Sequence, residues 1–393
     1  MTPAARVQSA IELLDAVIAS ACRGGASADR IAAEWFRAHR FAGSKDRRAI
    51  RDLVWDAIRD CGEVPETGRA AMLLLAQRDP ALAALFSGEG YGPAPIGPDE
   101  AIATAGIMPA WLAGQFAAAG LDAEEQAALL GRAPLDLRAN RLRTSREQLA
   151  AGLPVTAEFT ASPDGLRFPH GTPAETWPQF AEGLFEVQDT GSQLACAALG
   201  ALPGEAVVDL CAGGGGKTLA LAGAMDNRGE LLACDIDRAR LSRLPERAAR
   251  AGAQVETRLL NPGREVEMLA DWAGRADAVL VDAPCSGTGT WRRNPEARWR
   301  LSPAALDRYA NMQDGVLNIA AALVKPGGRI GYITCSLLDG EGANRVEAFL
   351  AVHSGWRADP VPSPLGRPRG QGWRLTPHHD GTDGFFFATL RRL

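Results

Sequence analysis

VLVDAPCSGTG (residues 279–289) is an apolar, β-like run that stops at an acid, Asp282, and a cysteine, Cys285, before turning into small residues. GYITCSLLDG (331–340) repeats the pattern, with Cys335 at the end of its run. Each cysteine is therefore expected where a strand ends. In an open α/β sheet that edge is where ligands bind and chemistry is done. The two positions are either reactive thiols sharing one crevice or small core residues, because free cysteine often packs as a small hydrophobe.

Outward from these stretches the texture is strand–helix–strand. Strands are expected at about 206–210, 231–235, 278–282, 329–334 and 385–390, with helices at Leu219–Ala224, Arg238–Ala251, Pro303–Leu323 and Gly342–His353. Alternation of this kind over some 200 residues predicts a largely parallel sheet with helices on both faces. The segment 134–185 differs. Short β-like pieces (LRANRLR, LPVTAEF, GLRF) and a helix near Ser145–Ala151 read as a small α+β unit, in which Asn140, flanked by Arg138, Arg141 and Arg143, is either a structural turn or a backbone-phosphate contact. Residues 6–85 carry helical stripes such as Ile50, Leu53, Val54, Ala57 and Ile58. The Gly/Pro-rich SGEGYGPAPIGP (87–98) reads as a loop, and a further helical pair follows from Pro109.

The 393 residues suffice for two or three domains, and 46% hydrophobic with 23% charged residues is ordinary for a globular chain. No apolar run approaches a membrane span, and the first residues lack the pattern of a secretory signal. Seven scattered cysteines argue against a disulfide framework, and no Cys/His cluster suggests a metal site. A reducing cytoplasm is expected, with Cys22, Cys61, Cys196 and Cys234 as core residues. The net charge of −5 excludes whole-chain attraction to nucleic acid but not local patches. Two basic clusters stand out. Arg37, Arg40, Lys45, Arg47, Arg48 and Arg51 form either a solvated helix face or a binding surface. TWRRNPEARWR (290–300) adds Trp291 and Trp299 to Arg292, Arg293, Arg298 and Arg300, a mixture that suits phosphates and stacked bases, so RNA contact is expected there.

The first strand runs into VVDLCAGGGGKT (207–218). Its glycines permit positive φ and close approach of backbone to a ligand. Gly216-Lys217-Thr218 fits the tail of a P-loop, but Cys211 stands where that motif needs glycine. Asp235, ending the second strand, favours an adenosine-bearing cofactor, since an acid there can bind both ribose hydroxyls. Two thiols beside such a cofactor suit covalent catalysis on cytosine. A thiolate adding to C6 makes C5 nucleophilic toward the methyl group of S-adenosylmethionine. The C5 proton must then leave, so a second acid/base group is useful. Lys217 and nearby arginines could favour a thiolate, and Asp282 could bond the cytosine amino edge.

DLCAGGGGKT, DIDRARLSR, VLVDAPCSGTGTWRRNPEARW, GYITCSLL and DGTDGFFFATL, with EVQDTGSQL (186–194) upstream, resemble the RNA 5-methylcytosine methyltransferases of the RsmB/Nop/Sun type over roughly residues 110–393. SKDRRAIRDLVWDAIR resembles the NusB-like domain of the bacterial RsmB branch. The resemblance implies a Rossmann-like class I methyltransferase sheet (186–393), a small α+β RNA-binding extension (134–185) and an all-α, NusB-like N-terminal domain (1–133). It assigns attack to Cys335 and product release to Cys285, although DNA cytosine methyltransferases attack from a Pro-Cys motif, which makes Cys285 the rival nucleophile. S-adenosylmethionine would be held by Cys211, Ala212, Gly213, Gly214, Gly215, Gly216, Lys217 and Asp235, with Asp282 lining cofactor and base. Gly213 and Gly214 replace the family's Ala and Pro, and Asn261 stands where a further acid is usual. Ribosomal RNA is the expected partner, and a monomer the expected form. A non-catalytic RNA-binding assembly factor on the same fold is the rival reading, disfavoured by the intact cysteine pair and Lys217.

Overall fold

The computed structural model describes residues 1–361 and 363–393. Contacts divide the chain into two units: 1–131 with 290–302, and 132–289 with 303–393.

The first unit is helical. Pro3–Cys22 starts from Thr2, whose hydroxyl accepts from the Ala5 amide at 3.2 Å, with Pro3 pre-set for the first turn. Its stripe Val7, Ala10, Leu13, Leu14 and Val17 is fully buried against Ser44–Asp60 and Gly68–Ala76. Gly68 is obligatory at this crossing, because a Cβ there would stand 2.3 Å from the Ile11 carbonyl oxygen. Residues 87–98 carry no helix or strand, and Ala110–Ala118 and Ala123–Ala128 follow.

The surprise is residues 290–302, which belong to this unit although they directly follow the Cys285 loop in sequence. The Arg298 side chain is completely buried and donates to the carbonyls of Ile58 (2.6 Å), Arg59 (3.1 Å) and Cys61 (2.8 Å), at the end of the helix Ser44–Asp60. Those carbonyls lack partners within the helix, and a cation also complements the helix dipole there. Burial pushes the Arg298 guanidinium down to about 10, which leaves it charged at neutral pH. Glu296 accepts from the Ala28 amide at 2.9 Å, capping the helix Ala28–Ala38, which Ser27 does not cap. Trp299 lies in the helical core, Trp291 stacks on Phe116 at 5.3 Å, and Arg300 donates to the carbonyls of Gly25 and Ala26. The RNA contact expected of this cluster is therefore wrong for Trp291, Arg292, Arg298 and Trp299, all of which are buried. Arginine and tryptophan here satisfy helix ends and fill a core.

The second unit holds two sheets. The smaller is four-stranded and antiparallel, in the order β2-β3-β1-β4: β1 (Leu135–Ala139), β2 (Glu158–Phe159), β3 (Gly165–Phe168) and β4 (Phe185–Val187). Ser145 and Gln148 form a reciprocal capping box for Arg146–Gly152. Asn140 is a structural turn: its amide donates to the carbonyls of Gly183 and Ala251, both at 2.8 Å.

The larger sheet comprises β5 (Ala206–Asp209), β6 (Glu230–Asp235), β7 (Glu256–Leu259), β8 (Ala276–Asp282), β9 (Val324–Thr334), β10 (Trp356–Asp359), β11 (Arg367–Arg369), β12 (Gly372–Leu375) and β13 (Phe385–Arg392). The order is β11-β12-β13-β9-β8-β5-β6-β7, with β10 beside β13. Strands β9, β8, β5, β6 and β7 are parallel, and β13 runs antiparallel to β9. The expected helix Arg238–Ala251 is instead two, Arg238–Leu241 and Leu244–Ala251. Pro245 has no N–H to give the Leu241 carbonyl, so the helix breaks there.

Replacing Arg298 by Met should destabilise the protein by about 2–4 kcal/mol, because three buried carbonyls lose a charged donor. Urea unfolding checks this, and a change within about 0.5 kcal/mol would show that the carbonyls find other partners.

Candidate active site

The chain order of the parallel strands reverses between β5 and β8: β6 and β7 extend one way from β5, and β8 and β9 the other. Such a switch point opens a crevice at the carboxyl ends of the strands. Every motif residue of the sequence reading follows one of these ends. Cys211–Gly216 leave β5, Asp235 closes β6, Asn261 lies two residues past β7, Asp282 closes β8 just before Cys285, and Cys335 follows β9.

In the β5 loop Gly213 (φ 56°) and Gly215 (φ 88°) adopt left-handed backbone, and a Cβ on Gly213 would stand 2.5 Å from the Arg240 guanidinium. Asp235 Oδ2 accepts the Gly213 amide and Oδ1 the Asp237 amide, both at 2.7 Å. This carboxylate thus shapes the loop as well as facing it, and each oxygen retains one lone pair. Asn261 is exposed, and its backbone amide donates to Met268 Sδ at 3.3 Å. Thr218 is fully buried and donates to Asp209 Oδ2 at 2.6 Å, so its hydroxyl is not placed to hold a metal-bound phosphate as in a P-loop. Burial, with Asp209, Asp235 and Asp282 nearby, pushes the Cys211 thiol well up.

Lys217 pairs with Asp282 at 2.7 Å. Burial works against the ammonium, but the charge and hydrogen bond of Asp282 prevail and raise it, so Lys217 is held charged. The sulfurs of Cys285 and Cys335 stand 3.4 Å apart, and the two residues are partly exposed. Their surroundings differ. Cys285 is pushed well up by its hydrogen bond to Cys335, by burial, and by the charges of Cys335 and Glu341. Cys335 instead lies within electrostatic reach of the Lys217 ammonium. At this separation either sulfur can donate to the other. Of the four cysteines expected in the core, Cys61, Cys196 and Cys234 are buried, and burial pushes each up to about 12. Cys22 is exposed at the end of its helix, contrary to expectation.

Sequence reasoning missed Glu341. Its buried carboxylate accepts from the Ser286 amide (2.8 Å), the Ser286 hydroxyl, the Ser336 hydroxyl (2.6 Å) and the Gln313 amide (3.2 Å). Ser286 follows Cys285 and Ser336 follows Cys335, so one side chain ties both cysteine loops. The signal was one of two acids, Asp339 and Glu341, after the T-C-S stretch, indistinguishable there from acids at a helix N-terminus. A second tie runs through Gly289, whose amide donates to the Cys335 carbonyl at 2.9 Å while its carbonyl accepts from Gly384 at 2.8 Å. A Cβ at Gly289 would stand 2.1 Å from the Gly384 oxygen, which explains the glycine in both the C-S-G-T-G stretch and the D-G tail.

Comparison with known proteins gives the following. The sequence model described as 16S rRNA methyltransferase RsmB/F matches residues 196–391. The probable ribosomal RNA small subunit methyltransferase B of Synechocystis sp. is 38% identical over 276 residues, covering 66% of this chain and 60% of that protein. The ribosomal RNA small subunit methyltransferase B of Xanthomonas campestris pv. campestris is 33% identical over 297 residues, covering 74% of this chain and 68% of that protein. The crystal structure of PH0851 covers 100% of both chains with a TM-score of 0.76 at 25% identity. The chain spans about 60% of the length of the first curated relatives it matches.

Two expected outcomes follow from the buried acids. Burial pushes Asp209 up to about 7, against the partial offset of the Thr218 hydrogen bond. An unfolded aspartate loses its proton near 4, so between about pH 4 and about pH 7 the folded chain holds a proton that the unfolded chain does not. Stability is then lost as pH rises through that window, and Asp209→Asn should reduce the difference in Tm between about pH 5 and about pH 8. An undiminished difference would assign it to other groups. Glu341→Ala should cost about 3 kcal/mol or more, since two hydroxyls and two amides lose a charged acceptor, and Glu341→Gln less, both read by urea unfolding.

Proposed function

The chain belongs to the 16S rRNA methyltransferase RsmB/F family, and from that premise we propose that it methylates C5 of a cytosine in ribosomal RNA through a covalent cysteine adduct. The observation that carries this reading is the pair of sulfurs 3.4 Å apart with unlike surroundings.

The residues fit S-adenosylmethionine as the cofactor. Asp235 and Asp282 flank the β5 loop, with Asp282 paired to the Lys217 ammonium at 2.7 Å and Asp235 bonded to the Gly213 amide. The left-handed glycines keep the loop backbone open to close approach, and in this reading Asp235 at the end of β6 and Asn261 just past β7 would bond ribose and adenine. Bound there, the cofactor supplies an electrophilic methyl group.

The chain's own groups supply the rest. The Cys335 thiolate, with the Lys217 ammonium within electrostatic reach, forms a bond from sulfur to C6, and the displaced electron pair makes C5 nucleophilic. Asp282 has one oxygen engaged by Lys217; the other is left to accept from the amino group of the base. Once the Cys335 sulfur is bonded to carbon it carries no charge, so the largest influence holding the proton on Cys285 is gone. That proton passes to solvent, and the Cys285 thiolate takes the C5 proton. The C6–S bond then breaks, its electron pair returns to Cys335, and Cys285 is again the protonated partner. Ribosomal RNA, a cytoplasmic setting and a working monomer belong to the same reading. Among the described residues no helix is long and apolar enough to cross a membrane.

Cys335→Ala should abolish both methylation, read by bisulfite sequencing of ribosomal RNA, and covalent RNA trapping on denaturing gels. Cys285→Ala should accumulate a stable protein–RNA adduct. Full methylation by Cys335→Ala, or an adduct formed by that variant, would transfer the attack to Cys285.

A further inference from the structure

The helical unit carries a basic surface that the reaction does not use. Between Trp35 and Arg48 the chain has five cations, Arg37, Arg40, Lys45, Arg47 and Arg48, against one acid, Asp46. That acid is already engaged by Arg6 at 2.8 Å and by the terminal amine. The neighbouring acids Asp29 and Glu34 pair with Arg51 and Arg30. Arg37, Arg40, Lys45 and Arg48 are exposed and have no acidic partner among the described residues. In a chain of net charge −5 this is a local reversal of sign.

Rings accompany the charges. Trp35 stacks on His39 at 3.8 Å and 10°, His39 meets Phe41 edge to face at 5.7 Å, and Phe41 is 64% exposed. Beside them lies a cleft of about 420 Å³ lined by Ala33, Phe36, Arg37, Arg40 and Arg47. An exposed phenylalanine at the end of a ring ladder, bordered by unpaired guanidinium groups, matches the two needs of an unpaired nucleic-acid strand: a face for a base and cations for phosphates. A solvated helix face would need neither the ladder nor the converging arginines.

We propose that Arg37, Arg40, Phe41, Lys45 and Arg48 form a docking surface for an unpaired segment of RNA. The proposal rests on RNA being the partner of this chain, and it adds where on the helical unit that RNA is held.

The test uses the full chain and a labelled single-stranded RNA oligonucleotide, with affinity followed by anisotropy over a range of salt. Each phosphate contact on a single strand contributes about 0.7 to the slope of log affinity against log salt. Arg37→Glu with Arg40→Glu and Arg48→Glu should therefore lower the slope by about 2 and weaken binding at least about tenfold at low salt. Phe41→Ala, which leaves the charges alone, should weaken binding about 5- to 150-fold with the slope unchanged. The same charge change placed at Arg228, Arg264 and Arg357 should leave the slope near that of the parent. A triple variant no different from this control overturns the surface. So does retained RNA affinity in a variant that has instead lost binding to acidic lipid vesicles. Either result leaves the adduct chemistry of Cys335 standing, because trapping reads that separately.

Discussion

One buried carboxylate holds the reactive pair together. Glu341 receives hydrogen bonds from the residue after Cys285 and from the residue after Cys335, and Gln313 adds another while also donating to the Pro284 carbonyl. A carboxylate that accepts several donors is stable in the interior in a way that an unpaired one is not. The two loops leave different strands, and the last ladder bond between β8 and β9 runs from the Ala283 amide to the Ile333 carbonyl. Beyond it the loops are tied by this side chain, by Gly289, and by Thr288, whose hydroxyl accepts from the Leu337 amide at 2.9 Å, and the sulfurs stand 3.4 Å apart.

Placement alone would make the thiols equivalent, and charge makes them unlike. The carboxylate that positions the loops also raises Cys285, whereas the ammonium of Lys217 pairs with Asp282 and lies within electrostatic reach of Cys335. Position and charge environment are thus set by the same few groups. That is economical, but it also means that Glu341 cannot be altered without touching both, and effects of substitutions within this network will not add.

The strand ends were legible because apolar runs terminated by Asp or Thr, followed by small residues, carry a strong local signal. The β7 strand and the β11–β12 hairpin gave none, since Glu256 and Arg258 alternate on an exposed edge and the hairpin is short. The expected site residues follow the ends of parallel strands, as the motif spacing required. What stayed hidden was tertiary. Arg298 and Trp299 read as nucleic-acid binders because guanidinium and indole groups bond carbonyls and fill cores with the same chemistry that binds phosphates and bases. Only burial distinguishes the two uses. Asp235 likewise read as a ligand acid, and it proves to be bonded to the loop amide that would present the ligand.

Residues 290–302 lie in sequence between the Cys285 loop and the strand that Cys335 follows. The chain leaves the Cys285 loop, contributes Arg298, Trp299 and Glu296 to the helical unit, and returns at Pro303 to start the helix that carries Gln313. Both ends of this segment border residues of the cysteine site. At one end Gly289 is clamped between the Cys335 carbonyl and Gly384, where not even a methyl group would fit. At the other, Gln313 lies about three turns into its helix and is fully buried against Pro284 and Glu341. Both exits are thus pinned to the residues that set the sulfur pair. These contacts depend on the absence of a Cβ at Gly289 and on the amide of Gln313.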